Sequence, residues 1–348
     1  MKRNGLALLL TVAIALLAVA GAGAKHSATT ITGAGSSFVS PLVSTWTPAL
    51  GSAFDYTVQY SPIGSGGGIS AIQNRTVDFG ASDAPLTPDQ FTACNGCVQI
   101  PWALAGTAIP YNIPGLTLPK NTNLNLSGDV IAKIYMGEIT NWNDPAIKSL
   151  NPKATIPDLK IVPVYRTGNS GTTYNFTDYL AAVSPTWKTK YGTGQAVAWP
   201  TGSGASGSAG VAGVVANTPG ALCYVDTAFA VSSKLRFAAI KNAAGRFISP
   251  SIRNVAASGG AVTKIPANNE LHIVNPPKSI PTGYPIATYT YIILPMKSAK
   301  AAELRKLAFW ALTQGQAGKY TAKLWFSPIP KNVLVASEKT LKQVQPAT

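Results

Sequence analysis

Acids, imidazoles and thiols are scarce in this 348-residue chain, and each scarcity closes off chemistry. There are two histidines and three cysteines in all. A zinc site needs three or four converging Cys, His or carboxylate ligands, and no such spacing occurs. His26 stands close to the N-terminus, so a Ser-His-Asp triad would have to rest on His272, in the alternating stretch Asn269-Glu-Leu-His-Ile-Val274, which reads as an ordinary strand. Cys94-Asn-Gly-Cys97 is a C-x-x-C pair without the βαβ surroundings of a redox enzyme. In an oxidising compartment its expected use is a local disulfide pinning that loop. Cys223 reads as a small buried core residue. Hydrolytic, redox and metal chemistry thus have little to build on, and no cofactor or metal is expected.

Acidic residues number 13 against 28 basic ones, a formal charge of +15. Lys2 and Arg3 belong to a leader: an apolar run from Leu6 to Ala20 follows them, and Ala22-Gly23-Ala24 offers an A-x-A cleavage site. This is the layout of a secretory signal peptide over residues 1–24. The apolar run is short of the ~20 residues a bilayer span needs. No Cys sits near the cleavage point to take a lipid anchor. About 324 residues then remain, too many for one compact core, which points to two lobes. The mature charge of +13 fits an anionic ligand, an anionic surface or adaptation to acidic surroundings. Nucleic acid fits poorly, because the basic residues are scattered and have no aromatic residues interleaved with them.

Short apolar strands alternate with amphipathic segments along the mature chain. Ile31–Gly33, Tyr56–Ile63, Val77–Ala81, Lys160–Tyr165 and Ala287–Pro295 read as strands. Phe38–Leu50, Ile69–Asn74, Thr173–Val183 and Ala301–Leu312 have helical spacing. This alternation argues for α/β lobes with mostly parallel sheets. Gly202–Gly213 is rich in Gly, Ser and Ala. It reads either as a linker or as a loop that meets a ligand or the other lobe.

Four loops share one design, a strand, a Gly/Ser cluster and a helix start. They are Gly33-Ala-Gly-Ser-Ser-Phe38, Gly64-Ser-Gly-Gly-Gly68, Gly80-Ala-Ser-Asp-Ala-Pro85 and Arg166-Thr-Gly-Asn-Ser-Gly-Thr172. A helix N-terminus presents unpaired N–H groups and a positive dipole end, so it attracts anions without lysines. Glycines let the backbone approach, and Ser/Thr hydroxyls add donors. Taken singly each loop is a plain turn or cap, and Asp83 ahead of Ala84-Pro85 reads as an N-cap. Four together, one with an Arg and one with an Asp, point to capture of a small oxyanion.

Three of these loops also carry a family resemblance. Ile31-Thr-Gly-Ala-Gly-Ser-Ser-Phe38, Gly64-Ser-Gly-Gly-Gly-Ile69 and Val77-Asp-Phe-Gly-Ala-Ser-Asp-Ala-Pro-Leu86 closely resemble the phosphate-binding subunit of Pst-type phosphate ABC transporters. The similarity continues through Asn112–Gly115, Ile134–Asp144, Asn169–Thr172 and Pro219–Val225. It is weakest beyond residue 240. The resemblance implies a type II periplasmic binding protein fold, with two α/β lobes joined by two hinge crossings around a ligand cleft. It would place one lobe at residues 25–112 plus 287–348 and the other at 113–286. It implies phosphate held by backbone N–H groups at Ser37 and Phe38, by Ser65 and Asp83, by the Arg166 guanidinium, and by the helix-capping cluster Ser170, Gly171 and Thr172. The family's last loop usually reads R-x-D-G-S-G-T, whereas Gly168-Asn169 here replaces the Asp-Gly and leaves the site more positive.

The residue types explain the selectivity that this ligand set would have. Arg166 offers a planar fork for two parallel hydrogen bonds to an oxyanion. Asp83 accepts a proton that phosphate still carries near neutral pH and sulfate does not. A site built to accept a substrate proton rejects an analogue lacking it by roughly 10⁴–10⁵-fold. The implied protein is a monomeric, non-enzymatic binding protein, exported from the cytoplasm, that hands phosphate to the permease subunits of an ABC transporter. The alternatives are a binding protein for sulfate, molybdate or arsenate, a secreted phosphate-ester hydrolase, or a surface role without transport.

Overall fold

The computed structural model describes residues 28–347, so the expected signal peptide lies outside the described residues. Two mixed sheets organise the chain into an α/β fold. In the first, the strands Val225–Asp226, Cys97–Ala108, Ala287–Pro295, Phe79–Ser82, Thr29–Gly35 and Tyr56–Ser61 lie side by side. In the second the order is Arg236–Phe237, Pro110–Tyr111, Ala221–Cys223, Val162–Arg166 and Ser203–Ala205.

The core of the first sheet is its longest pair. Every residue of Cys97–Ala108 and of Ala287–Pro295 is buried, as expected for β-branched and aromatic runs covered on both faces. The two pair antiparallel from Ala287 opposite Gly106 to Pro295 opposite Cys97, with a bulge at Thr290/Tyr291. The polar groups in this layer pair with one another: the Trp102 indole N–H donates to the Thr290 hydroxyl at 3.0 Å. Burying each large apolar side chain here contributes about 1.5–3 kcal/mol.

Mostly parallel sheets are what the sequence suggests, and both sheets depart from that. Parallel pairing occurs where a helix makes the return. Thr29–Gly35 pairs parallel with Tyr56–Ser61, after the helix Ser40–Phe54, and with Phe79–Ser82, after the helix Ser65–Gln73. Ala287–Pro295 arrives from a long excursion instead, and pairs antiparallel on both sides. The helix Ser65–Gln73 begins four residues ahead of the expected start. Its glycines serve close packing: a Cβ on Gly68 would sit 2.4 Å from the Gly35 Cα and 2.6 Å from the Ala34 carbonyl oxygen.

The chain crosses between the sheets at two adjacent places. Cys97–Ala108 belongs to the first sheet and Pro110–Tyr111 to the second; Ala221–Cys223 belongs to the second and Val225–Asp226 to the first. The crossings run antiparallel, with Val225 opposite Ala108 and Leu222 opposite Tyr111. Strand pairing therefore departs from the expected second lobe of 113–286. Val225–Asp226 is already in the first sheet, and the helix Ile252–Gly259 packs on Cys97–Ala108 and Ala287–Pro295. Beyond it, the Asn269 side-chain amide donates to the Gln99 carbonyl at 2.9 Å, and the Leu271 N–H donates to the Tyr291 hydroxyl at 3.1 Å. These are long-range pairings with no local signature. Gly202–Gly213 is no linker: it supplies the strand Ser203–Ala205 and the start of the helix Gly207–Asn217.

Candidate functional site

The first-lobe half of the site grows from the C-terminal ends of two strands. Gly35 closes its strand at φ 141°, and any Cβ there would lie 2.0 Å from the Ala81 carbonyl oxygen, so only glycine fits. The Ser36 hydroxyl, fully buried, accepts from the Phe38 N–H at 3.0 Å and the Val39 N–H at 3.3 Å. It also donates to the Asp83 carboxylate. Ser65 holds Asp83 from the other side. Its hydroxyl accepts from the Asp83 N–H at 3.1 Å and donates to Oδ2 at 3.4 Å.

Asp83 does not cap a helix, the use it would have if its loop were taken singly. The next helix, Pro88–Cys94, is capped by Thr87, with Gln90 bonding back to it. Burial pushes the Asp83 carboxyl up to about 6, against the pull of Ser36, Arg166 and Ser65 towards ionisation. At neutral pH it is therefore an ionised, fully enclosed acceptor.

The second-lobe half is built on Arg166, the last residue of the strand Val162–Arg166. Its backbone N–H donates to the Tyr224 hydroxyl at 3.0 Å, and that hydroxyl also pairs with Thr173 Oγ1 at 2.7 Å. Tyr224 is itself stacked on Phe176, with ring centroids 4.3 Å apart. The Arg166 guanidinium donates through Nη1 to Thr172 Oγ1 at 3.4 Å and to Ser208 Oγ at 3.3 Å. Burial lowers the guanidinium's affinity for its proton, while Tyr224, Asp83 and Asp226 oppose that shift. The Ser170 hydroxyl caps the helix Gly171–Val183 by accepting the Thr173 N–H at 3.2 Å. Ser170, Gly171 and Thr172 thus stand at a helix N-terminus aimed into the cleft.

The two halves touch directly. The Gly66 N–H donates to the Asn169 carbonyl at 3.0 Å, and the Ser37 and Ser208 hydroxyls are 3.0 Å apart. A Cβ on Gly171 would lie 2.4 Å from Ser65 Oγ and 2.8 Å from Asp83 Cβ. A cavity of about 320 Å³ opens beside Arg166, lined by Gly64, Asn169 and Ser206 among others. The eight residues expected at the site, Ser37, Phe38, Ser65, Asp83, Arg166, Ser170, Gly171 and Thr172, all lie in this one cluster, with the Phe38 N–H engaged by Ser36.

Three more residues belong to the cluster and were not foreseen: Ser36, Ser208 and Asp226. Ser36 sits beside an expected residue in the first loop, and Ser208 falls in the small-residue stretch. Asp226 follows directly on the Pro219–Val225 block. Cys94 and Cys97 are disulfide-bonded, and the Arg75 guanidinium donates to the Cys94 and Asn95 carbonyls at 2.8 and 3.1 Å across that loop. His272 is not an ordinary strand histidine. It lies in irregular chain and bridges Asp178, at 3.4 Å, and Glu270, at 3.0 Å.

Comparison with known proteins places this geometry. The family model described as the PBP superfamily domain matches residues 20–314. The phosphate-binding protein PstS of Xylella fastidiosa is 38% identical, over 87% of this chain and 82% of its own length. That of Pasteurella multocida is 37% identical, over 88% of each chain. Among solved structures, a phosphate binding protein from Stenotrophomonas maltophilia superposes with a TM-score of 0.65 at 21% identity, covering 90% of this chain and 94% of that one. A putative phosphate ABC transporter substrate-binding protein with bound phosphate, from Clostridium perfringens, gives a TM-score of 0.61 at 17% identity, covering 87% and 100%. The fold is the two-lobed type II periplasmic binding protein fold, and the chain belongs to the PBP superfamily, in its family of PstS phosphate-binding proteins.

Proposed function

We propose that this chain captures inorganic phosphate outside the cytoplasm and delivers it, as a binding protein and not an enzyme, to the permease subunits of an ABC transporter. The observation that carries the reading is a buried carboxylate set among anion donors. Asp83 is 2% exposed and shares the cleft with Arg166, Ser65, Ser37 and the helix start at Ser170–Thr172. Donors alone would suit any oxyanion. An ionised acceptor among them suits one that still carries a proton. The relatives named above are phosphate-binding proteins, and among the described residues no helix is long and apolar enough to cross a membrane.

The proposed ligand roles follow from the donors and acceptors gathered in the cleft. Arg166 supplies the guanidinium, and Ser37, Ser65, Ser170 and Thr172 supply hydroxyls. Gly171 supplies backbone at a helix start, Phe38 the turn before the helix Ser40–Phe54, where Ser36 now takes its N–H, and Asp83 accepts the hydrogen bond of the phosphate P–OH. Sealing an oxyanion between the lobes strengthens each aligned donor by removing water, and hinge closure of this kind is a general property of periplasmic binding proteins.

Calorimetric titration with phosphate, sulfate and arsenate tests this. Wild type is expected to bind phosphate and to discriminate against sulfate above pH 6, where Asp83 is ionised, with discrimination shrinking below that as it protonates. Asp83→Asn is expected to relax selectivity towards sulfate by a large part of the roughly 10⁴-fold such an acceptor confers. Unchanged competition by sulfate in that variant would sink the role given to Asp83. Turnover of a chromogenic phosphate ester would overturn the non-enzymatic reading.

A further inference from the structure

Asp226 lies in the second of the two crossings, where it pairs opposite Thr107, and it is fully buried. Its Oδ1 accepts the Phe229 N–H at 3.0 Å and so caps the short helix Thr227–Ser232. That task leaves Oδ2 with no hydrogen-bond partner. An unpaired buried carboxylate oxygen is costly and calls for a counter-charge. Arg166 Nε is likewise buried without a partner, so the two unsatisfied charged atoms among the described residues belong to groups of opposite sign, near enough to act on each other's charge though not in a direct ion pair. Both are tied to one framework: Tyr224, two residues before Asp226, accepts the Arg166 backbone N–H. The Ser208 hydroxyl that accepts from Arg166 is also a neighbour of the Asp226 carboxylate.

We propose that Asp226 is a positioning residue of the anion site: it is the counter-charge that aims Arg166, and it takes up a proton on Oδ2 when an oxyanion seats on the guanidinium. This deepens the phosphate reading and rests on it. Before capture, one guanidinium faces two carboxylates, Asp83 and Asp226. A seated phosphate dianion brings two more negative charges into the same enclosed space, and like charges at short range drive one group to protonate. Geometry decides which group that is. Asp83 is held ionised by the hydroxyls of Ser36 and Ser65 and accepts the hydrogen bond of the phosphate P–OH, whereas Asp226 Oδ2 has no hydrogen-bond partner and only the Ser208 hydroxyl near its carboxylate. The proton is given up by hydronium or the buffer acid, whose bond to it breaks as the Oδ2–H bond forms. The remaining titratable neighbours, Cys223 and Tyr224, are both pushed upward by burial and stay neutral. Burial already raises Asp226 to about 7, against the pull of the Phe229 N–H, Ser208 and Arg166, and Asp83 adds to the rise.

Asp226→Asn separates this role from capping, because Asn caps a helix about as well as Asp. The test is titration of the mature protein with phosphate in buffers of different ionisation enthalpy, at and about one pH unit above neutrality, which counts protons taken up per anion bound. Wild type is expected to take up more protons than Asp226→Asn, by a difference approaching one, and its affinity is expected to fall more steeply with pH, by up to about tenfold per unit. Asp226→Ser, which also retains a cap, is expected to behave as the Asn variant does. Equal proton uptake in wild type and both variants would overturn the proposal, as would loss of that proton in Asp83→Asn instead. The phosphate reading fails separately: if wild type binds sulfate and not phosphate, the same difference between wild type and Asp226→Asn is read on sulfate. A wild type that binds neither anion overturns both.

Discussion

The two lobes meet through ionic groups in two places, and the two are built on opposite terms. In the cleft, Arg166, Asp83 and Asp226 are nearly or fully buried, and burial is the leading influence on all three. At the rim, His272 and Glu270 come from the segment held to the first sheet through Leu271 and Tyr291, and Asp178 comes from the helix Gly171–Val183 of the other lobe. There the hydrogen bond to Asp178 leads, and the imidazole is raised to about 9. Burial favours the uncharged form of every group, so the cleft holds charges that a ligand can re-balance. Exposure leaves the rim charges solvated, so the bridge stays ionised and contributes little on its own. One junction is built of buried charges and the other of solvated ones.

The largest expected effect comes from removing the Arg166 guanidinium from the cleft. Arg166→Ala leaves Asp83 and Asp226 facing an anion with nothing to offset them. Phosphate affinity should drop on the order of 10²–10³-fold or more, as for truncation of other buried, hydrogen-bonded charges. Loss of less than about tenfold would mean that backbone and hydroxyl donors carry the binding alone.

Closure itself is tested by Gly171→Ala. Its methyl would meet Ser65 and Asp83, which belong to the opposite lobe. Overpacking of this kind costs about 1–3 kcal/mol, or roughly one to two decades of affinity. The melting temperature of the ligand-free protein should barely move. A matching fall in both quantities would place the clash within one lobe.

The smallest effect is expected at the rim. A histidine raised from 6.5 to about 9 stabilises the folded state fully below pH 6.5, and that contribution is lost as pH rises through 9. Thermal melts of wild type should therefore decline across that window, while His272→Gln should be flatter. Its phosphate affinity should change by less than about tenfold. A large loss of affinity in His272→Gln would erase the contrast between the two junctions.

How much of this was legible follows from the range of the interactions. The helix Ala301–Leu312 and the strand Ala287–Pro295 could be bounded from periodicity because each carries its own apolar pattern. The four Gly/Ser loops could be located because a strand end followed by a Gly/Ser cluster is a local motif, although the loop Gly80–Pro85 opens no helix, the next one starting at Pro88. His272 was misread because alternation in Asn269–Val274 imitates a strand, whereas those residues are held by side-chain contacts with distant partners. Asp226 was passed over because its importance lies in Arg166, sixty positions earlier.

By itself, the sequence determined the inventory of reactive groups: two imidazoles, three thiols, an excess of cations, and Gly/Ser clusters at strand ends. Local patterns settle such matters because composition and short-range backbone preference act within a few residues. Only the tertiary structure decided which carboxylates share the cleft, which hydroxyls hold them, and that the chain re-enters the first sheet at Val225. Those outcomes depend on strand pairing and burial between segments from 18 to more than a hundred positions apart, and burial is what raises Asp83 and Asp226 above the ordinary carboxylate range.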